Sequence, residues 1–379
     1  MPRFLHTADW QIGRQYARFE PEDAVALAEA RFTAVERLAR LATDENVDAV
    51  LVAGDIFDAQ TLGERTLHRT FQALAGFVGP WIMIPGNHDA ALAESVWTRS
   101  RRIGAIPDNV HLLLTPEVAV FEEIGTAILP APLTQRQTHR DLTAWFDDAE
   151  TPAGLVRIGL AHGSVEGQLA EGIDSSNPIA AGRATSARLD YLALGDWHGL
   201  KRIDERTWYS GTPEQERFKD NGAGQSLMVE IDGPGTAPQV ETRQIGQHSW
   251  QAWQHQLAVA SDLDALLAEL DALPPMSVLD LALDGQLDLA GQQRLEQALG
   301  AAAGRHRSLQ VHMSGLALVP TAEDIATLHA DGYVGEVIAE LQRRQAVEDE
   351  REIAREALGI LAGMLRDQQP GVHREEGQG

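Results

Sequence analysis

The sequence predicts a layered α/β fold in which helices cover the faces of β-sheets. Two observations favour this fold: short apolar runs recur along the first part of the chain, and longer stretches with helical periodicity lie between them. The length of 379 residues, 44% of them hydrophobic, exceeds that of one average domain. We therefore expect two or three domains.

Strands and helices of the first part can be placed in order. Five apolar runs have the length of strands: residues 3–8, 49–53, 81–85, 156–161 and 191–194. Residues 21–44 place apolar side chains at helical spacing, and residues 62–77 repeat this pattern up to Gly79-Pro80. The first two helices are therefore predicted between the first three strands.

From residue 225 the pattern changes. We expect strands at 226–231, 239–245, 277–283 and 309–313, and helices at 262–273 and 289–303. Residues 321–366 are predicted to be helical, and residues 368–379 to be a disordered tail. The helical region has two open interpretations: a docking element for a coiled-coil partner, or a hairpin packed on its own domain. The predicted domains are residues 1–237, 238–320 and 321–379.

Composition excludes several functional classes. The chain has 31 Lys and Arg against 56 Asp and Glu, a formal charge of −25, which argues against a self-sufficient nucleic-acid binder. It has no cysteine, so a disulfide framework, a thiolate zinc site and a cysteine nucleophile are excluded. No apolar run approaches the roughly 20 residues of a membrane helix, and no signal peptide is visible. We therefore expect a cytoplasmic protein.

Each of the five predicted strands ends in polar residues that can bind metal ions. These residues are Asp9, Asp55, Asn87 with His88 and Asp89, His162, and Asp196 with His198. Because the carboxyl ends of such strands lie along one edge, we expect these side chains to converge. Gly54, Gly86 and Gly195 let the chain turn sharply beside them. Six or seven oxygen and nitrogen donors suggest two divalent ions that share a carboxylate, as in enzymes that displace phosphoryl groups in line.

The motifs resemble those of the calcineurin-like metallophosphoesterase superfamily. They are Asp9, Gly54-Asp55-Ile56-Phe57-Asp58, Gly86-Asn87-His88-Asp89, Ala161-His162-Gly163 and Gly195-Asp196-Trp197-His198. Residues 6–10 and the segment Tyr209-Ser210-Gly211-Thr212-Pro213 are most similar to SbcD-type nucleases, which pair with an SMC-like ATPase in DNA double-strand-break processing. The resemblance implies a layered β-sandwich flanked by helices, with a small α+β capping domain and a helical C-terminal tail that docks the partner.

The resemblance also assigns roles to single residues. It implies Asp9, Asp55 and His198 at one ion, and Asp55, Asn87, His162 and position 196 at the other, with Asp55 bridging. His88 would be the acid or the phosphate-stabilising group. Asp89 is expected to orient the imidazole of His88. Asp58 either supports Asp55 or His88 through hydrogen bonds or caps a helix.

Two positions depart from the family pattern. The first motif has Gln11 in place of histidine, and the last has Asp196 in place of histidine. Gln11 is expected either to offer a weak carbonyl oxygen or to leave its position to water. Asp196 is a harder donor than imidazole and favours Mn²⁺ or Mg²⁺ over Fe²⁺ or Zn²⁺. We interpret the two changes as retuning of the metals, the alternative being loss of turnover.

Substrate contacts are predicted at five positions: Arg14, Trp10, Trp197, Gly211 and Thr212. Arg14 suits a phosphate group, or else is an ordinary surface arginine. The two tryptophans stack on a base, or else pack in the wall of the site.

The function predicted from the whole pattern is a two-metal DNA nuclease that prefers manganese. It would work with an SMC-like ATPase that supplies DNA-binding surface, and the resemblance suggests a homodimer. Two other functions stay open: a small-molecule or cyclic-nucleotide phosphodiesterase, and a non-catalytic metal-binding interaction protein.

Overall fold

A computed structural model describes residues 1–168, 177–327 and 333–368. The chain divides into two compact units, Met1–Ser249 and Trp250–Gly379. Residues 369–379 of the predicted disordered tail lie outside the described residues. None of the helices in the described ranges is long and apolar enough to cross a membrane.

The first unit contains fourteen of the described strands and four of the α-helices. The strands are β1 (Arg3–Thr7), β2 (Ala49–Ala53), β3 (Trp81–Ile84), β4 (Val110–Leu112), β5 (Ala119–Phe121), β6 (Thr126–Ala131), β7 (Val156–His162), β8 (Ser164–Val165), β9 (Pro178–Ile179), β10 (Tyr191–Gly195), β11 (Lys201–Arg202), β12 (Thr207–Tyr209), β13 (Gln225–Glu230) and β14 (Gln239–Gln244). The helices are α1 (Pro21–Asp44), α2 (Glu64–Gln72), α3 (Val96–Arg102) and α4 (Arg183–Ser186), with 3₁₀ turns at Ala73–Gly76, Glu122–Ile124 and Ala144–Asp147.

Two six-stranded sheets form the centre of this unit. Their strand orders are β14-β13-β1-β2-β3-β4 and β11-β12-β10-β7-β6-β5. Apolar side chains from both sheets, such as Phe4 and Leu51 from one and Ile158 and Leu160 from the other, share one buried cluster. A second cluster joins α1 and α2 to the other face of the first sheet. The layered β-sandwich with flanking helices is therefore confirmed.

The parallel pairing of the central strands brings their carboxyl ends together. β1 pairs with β2 and β2 with β3 in one sheet, and β7 pairs with β10 in the other, all in parallel. The loops that follow β1 and β2 run side by side, because Asp9 N–H donates to Gly54 O and Gln11 N–H donates to Asp55 O, both at 3.0 Å. These hydrogen bonds fix the two loops in register.

Several elements differ from their sequence predictions. The helix at 21–44 is confirmed, whereas the helix predicted at 62–77 is shorter and ends in a 3₁₀ turn. β14 pairs antiparallel with β13 over six residue pairs. Residues 238–249 therefore lie in the first unit, beyond the boundary predicted at residue 237, since cross-strand pairing rather than local composition decides sheet membership.

The second unit contains a three-stranded sheet and five described helices. The strands are β15 (Ser249–Leu257), β16 (Ser277–Leu287) and β17 (Ser308–Leu318), in that order. The helices are α5 (Ala260–Ala272), α6 (Leu289–Arg305), α7 (Ala322–Thr327), α8 (Tyr333–Arg344) and α9 (Arg351–Gln368). Leucines of α5, α6 and the sheet form its core.

The last helix packs on its own unit. Ala354, Leu358 and Ala362 are spaced four residues apart and are buried, and α9 contacts both α8 and β17. This packing favours the hairpin interpretation for that face. The opposite face exposes Ile353, Ile360 and Met364.

Stability of the first unit should depend on the protonation of His6. This residue is fully buried in β1, with Nδ1 2.9 Å from the Tyr191 hydroxyl, and burial lowers its pKa to about 3. The unfolded chain, with an ordinary pKa near 6.5, binds the proton first, so stability is complete above pH 6.5 and falls as pH decreases toward 3. We expect a loss of about 2 kcal/mol between pH 6.5 and pH 5.

In urea unfolding followed by tryptophan fluorescence, His6→Asn should lack this part of the pH dependence. His68→Asn, at an exposed position of α2, should keep it. Parallel pH profiles for the wild type and His6→Asn would contradict the prediction.

Candidate metal centre

Three buried side chains converge where the strands end. Ligand atoms of Asp9, Asp55 and His162 all lie within 4.8 Å of one another. They follow β1, follow β2 and end β7, respectively. The sequence prediction that these strand ends meet is therefore confirmed for these three residues.

His162 is oriented with Nε2 toward the other predicted ligands. Its Nδ1 lies 2.8 Å from the carbonyl oxygen of Ala53, which can only accept, so Nδ1 carries a hydrogen. Its Nε2 lies 3.1 Å from Asn87 Oδ1, 3.6 Å from Asp55 Oδ1 and 3.7 Å from Asp196 Oδ1. Asn87 and Asp196 thus lie beside His162, and their sharing of one ion stays a prediction.

His198 interacts with Asp9 through charge and with Glu216 through a hydrogen bond. The backbone N–H of Asp196 lies 3.1 and 3.2 Å from the two carboxylate oxygens of Asp9. His198 Nδ1 lies 2.5 Å from Oε1 of Glu216, so that carboxylate accepts the Nδ1 hydrogen. His198 also acts electrostatically on Asp9 by lowering its pKa.

Electrostatics at this edge favour a cation. Burial is the largest effect on the pKa of Asp9, which it raises to about 6, and burial also raises the pKa of Asp196. Burial by itself lowers the pKa of His162, but Asp55, Asp196 and Asp9 together raise it to about 9. Crowded carboxylates with little water attract positive charge, and their oxygen-rich donor set suits Mn²⁺ or Mg²⁺.

The backbone at the centre is strained. Seven of the described non-glycine residues have positive φ, and four of them are predicted site residues: Asp9 (54°), Gln11 (50°), Asp55 (54°) and Asp196 (97°). Each such conformation costs on the order of 1 kcal/mol. Clustering of strain at ligand positions is typical of functional sites, where it aims the side chains.

Two glycines permit the close approach of these loops. A Cβ on Gly86 would lie 2.2 Å from Asp55 Oδ1, and a Cβ on Gly195 would lie 2.0 Å from the carbonyl oxygen of Ala53. No side chain fits at either position without displacing a ligand loop.

Gln11 has an incomplete set of partners. Its Nε2 donates to Asp55 Oδ2 at 2.8 Å, whereas its buried Oε1 has no hydrogen-bond partner. An unsatisfied buried oxygen beside a carboxylate cluster fits a site for divalent cations. Whether Gln11 itself binds metal stays a prediction.

A model of the calcineurin-like phosphoesterase family matches residues 2–220, more than half of the sequence. The chain belongs to this family. Among curated relatives, the SbcD subunit of the nuclease SbcCD from Bacillus subtilis (strain 168) is 27% identical, over 62% of this chain and 67% of that one. The metallophosphoesterase YhaO of the same strain is 26% identical, over 60% and 57%. The DNA double-strand break repair protein Mre11 of Methanosarcina acetivorans is 23% identical, over 62% of this chain and 37% of the relative.

His88 of this phosphoesterase is held by Asp58. Its backbone N–H donates to Asp55 Oδ1 at 2.9 Å, and its Nδ1 lies 2.9 Å from the carbonyl oxygen of Asp58. Asp89 does not orient the ring, and that prediction is wrong. Its buried carboxylate accepts from the N–H groups of Gly86 and Phe57, which ties two ligand loops together, and burial raises its pKa to about 7.

Predicted substrate contacts divide into buried and accessible residues. Trp10 is 1% exposed and packs edge-on against Trp81, so it does not stack on a base as predicted. Gly211 and Thr212 are buried too, and Thr212 N–H donates to His198 O at 3.1 Å, which supports the ligand loop rather than offering a surface to substrate. Arg14, by contrast, is partly exposed and lies 3.7 Å from Asp58 Oδ1.

Both lysines of the chain lie close to the ring of Trp197. Lys201 and Lys219 are the two lysines in the sequence, and their Nζ atoms lie 5.7 and 5.0 Å from the centre of the Trp197 ring. We call these three residues the lysine cluster. Trp197 stands between Asp196 and His198 in the sequence, and the contacts of its ring with the two lysines are of the cation–π type.

Two buried residues of the site were missed from the sequence. Glu216 bonds to His198, and Arg31 of α1 bonds to Glu216. Arg31 lies four residues from both Leu27 and Val35 on the apolar stripe of α1, and a charge at such a position signals a buried partner. No local signal distinguishes Glu216.

Gly86→Ala should disturb the metal centre without changing any ligand. The added methyl group would displace Asp55, so we expect Mn²⁺ affinity to fall at least about tenfold, the scale of effects when ligand orientation is lost. Titration calorimetry measures this change. Gly63→Ala is the control, because its Cβ would meet nothing within 4 Å. Equal affinity in the two variants would show that close packing at Gly86 does not position Asp55.

Proposed function

We propose that this phosphoesterase is a metal-dependent DNA nuclease with Mn²⁺ as its preferred ion. The observation that carries the proposal is the lysine cluster on Trp197, the residue between Asp196 and His198 in the sequence. A chain with a formal charge of −25 has both of its lysines at this position. Local positive charge beside a phosphoester-cleaving site suits a polyanionic substrate.

The proposed reaction is hydrolysis of a phosphodiester bond. Divalent cations held at the centre would supply Lewis-acid activation of water and of the phosphoryl oxygens. Asp9, Asp55, Asn87, His162, Asp196 and His198 are the residues proposed to hold them, with Gln11 as a further candidate. Asp55 is buried, its Oδ1 lies 3.6 Å from His162 Nε2, and it is proposed as the shared ligand.

His88 is proposed to act on the leaving oxygen. The carbonyl oxygen of Asp58 fixes a hydrogen on Nδ1, and the Asp58 carboxylate lies 3.9 Å from Nδ1. A ring held in this way donates its second hydrogen from Nε2 to the departing oxygen. Its side chain is 27% exposed, which leaves room for substrate.

Lysines suit the phosphate backbone of DNA. Both ammonium groups lie within 6 Å of the centre of the Trp197 ring, and Arg217 adds a guanidinium whose Nη2 lies 3.5 Å from His198 Nδ1. We propose that Lys201 and Lys219 contact phosphates that flank the cleaved bond. A small cyclic nucleotide offers no such flanking phosphates.

We further propose that the protein works with an SMC-like ATPase. The relative from Bacillus subtilis is by its name one subunit of a nuclease, and an acidic chain gains DNA-binding surface from a partner. The exposed face of α9, with Ile353, Ile360 and Met364, is the proposed docking surface. A homodimer is proposed from resemblance alone, and action on chromosomal DNA implies a cytoplasmic location.

His88→Ala should abolish catalysis and leave the metals bound. With linear DNA or bis-p-nitrophenyl phosphate and Mn²⁺, we expect a rate at least about 100-fold below wild type, the usual contribution of a general acid. The hydrogen bond to Asp55 comes from the backbone of His88 and is retained in alanine, so Mn²⁺ affinity should not change.

The assay includes a chelator, which should stop cleavage, and His68→Ala as a surface-histidine control. A co-expressed ATPase partner should increase cleavage of DNA but not of the small ester. Cleavage by the wild type of the small ester but of no DNA would favour the small-molecule alternative, and full activity in His88→Ala would exclude this histidine from the mechanism.

Lys219→Ala should weaken DNA binding specifically. Loss of one phosphate contact should lower the slope of log affinity against log salt by about 0.7 to 0.9, and should raise KM for DNA several-fold at low salt. Hydrolysis of bis-p-nitrophenyl phosphate should be unchanged within about twofold. Arg202→Ala is the matched control, since Arg202 lies 5.3 Å from the ring of Trp208, away from the ligand positions. An equal effect of both variants would reject the lysine cluster as a DNA contact.

A further inference from the structure

The carboxylate of Glu216 is surrounded by four cationic or hydrogen-donating side chains. Its Oε1 lies 2.5 Å from His198 Nδ1 and 3.0 Å from Arg217 Nε. Its Oε2 lies 2.5 Å from Arg31 Nη2 and 3.1 Å from Arg14 Nε. The side chain is 2% exposed, so these partners replace water almost entirely. Each carboxylate oxygen of Glu216 therefore contacts a different pair of side chains.

Arg31 anchors this carboxylate to the first ligand loop. The guanidinium is buried, Nη1 donates to the carbonyl oxygen of Trp10 at 2.7 Å, and Nε donates to the Tyr16 hydroxyl at 2.9 Å. Trp10 lies between Asp9 and Gln11 in the chain. A buried guanidinium held at three points has little freedom, and it needs an anion to remain buried. The ion pair thus links the turn that carries Asp9 to the support of His198.

We propose that Glu216 is a positioning residue that keeps His198 protonated on Nδ1 and directs Nε2 to the cation site. This role rests on the proposed metal-dependent function. Because glutamine stands at position 11, His198 is the one imidazole that the family pattern leaves to the ion shared by Asp9 and Asp55. The orientation of this ring therefore has a large effect on that ion.

The chemistry of the carboxylate shows what a neutral side chain at position 216 would lack. His198 Nδ1–H and Arg31 Nη2–H both need an acceptor, and a carboxylate offers one oxygen to each. An amide has one oxygen. Glutamine at position 216 either leaves the buried Arg31 without an acceptor or turns its NH₂ group to His198. The second arrangement moves the hydrogen of the ring to Nε2 and blocks that donor atom.

Glu214 provides a matched control two residues away. Its carboxylate is also buried, but it accepts from the backbone N–H groups of Gln247 and His248, both at 3.0 Å. Glu214→Gln therefore alters a buried carboxylate of the same loop whose hydrogen bonds hold the backbone and not a proposed metal ligand. A purely structural role of Glu216 predicts similar results for the two variants.

The test is Mn²⁺ binding by the full chain, measured by titration calorimetry without DNA. We expect Glu216→Gln to lower the affinity of one of the two ions about 10- to 100-fold, and Glu214→Gln to leave both affinities unchanged. In a His198→Ala background, Glu216→Gln should have no further effect. Equal losses in the Glu216 and Glu214 variants, or additive losses in the double variant, would overturn the proposal.

A measurement on the wild type keeps the proposal testable if Glu216→Gln does not fold. Nitrogen-15 spectra of the imidazoles in the Zn²⁺-loaded protein, with His198 assigned by its absence in His198→Ala, should show hydrogen on Nδ1 and metal on Nε2. Hydrogen on Nε2 would reject the role of Glu216. Absence of Mn²⁺ binding in the wild type would overturn the proposed function as well, whereas normal binding in Glu216→Gln would overturn this role alone.

Discussion

The candidate site of the first unit depends on one constraint: acidic side chains from several loops pack together at a sheet edge that holds little water. Like charges at such an edge repel, and burial adds a desolvation cost to each of them. Asp9 and Asp196 both have raised pKa values for this reason, and the neighbouring carboxylates raise the pKa of His162. Folding brings these groups together because two large apolar cores bury the strands that precede them. Their combined field makes the edge a place for divalent cations.

Three of the proposed ligands are each held by a hydrogen-bond partner that is not itself a proposed ligand. Ala53 O sets the tautomer of His162, the backbone of His88 holds Asp55, and Glu216 holds His198. Such partners limit the motion of the ligands, which lowers the reorganisation needed when a cation binds. The positive φ angles at the ligand positions and the close packing at the two glycines also fix the conformation of these loops. The geometry is thus built into the loops before any ion arrives.

Charge is distributed unevenly over this molecule. A formal charge of −25 disfavours association with nucleic acid, whereas the two lysines both lie near the ring of Trp197. This contrast supports a substrate approach limited to one edge. It also gives a physical reason for a partner that adds DNA-binding surface. Catalytic and binding functions would then be divided between two chains.

Much of the fold and of the metal centre could be predicted because the motifs are local. Each proposed ligand follows an apolar run, and the helical spacing of apolar residues predicts α1. The sequence left open whether Trp10 stacks on a base or packs in the wall of the site, because its environment depends on packing against Trp81, 71 positions away. Arg31 and Glu216 are 185 residues apart, and β14 joins its sheet through pairing, so neither relation leaves a local pattern. The sequence by itself thus determined the ligand types and the order of the strands along the chain. The orientation of the imidazole rings, the partners that hold the ligands and the sheet to which a strand belongs are decided only in the tertiary structure, because they depend on contacts between segments that are far apart in sequence.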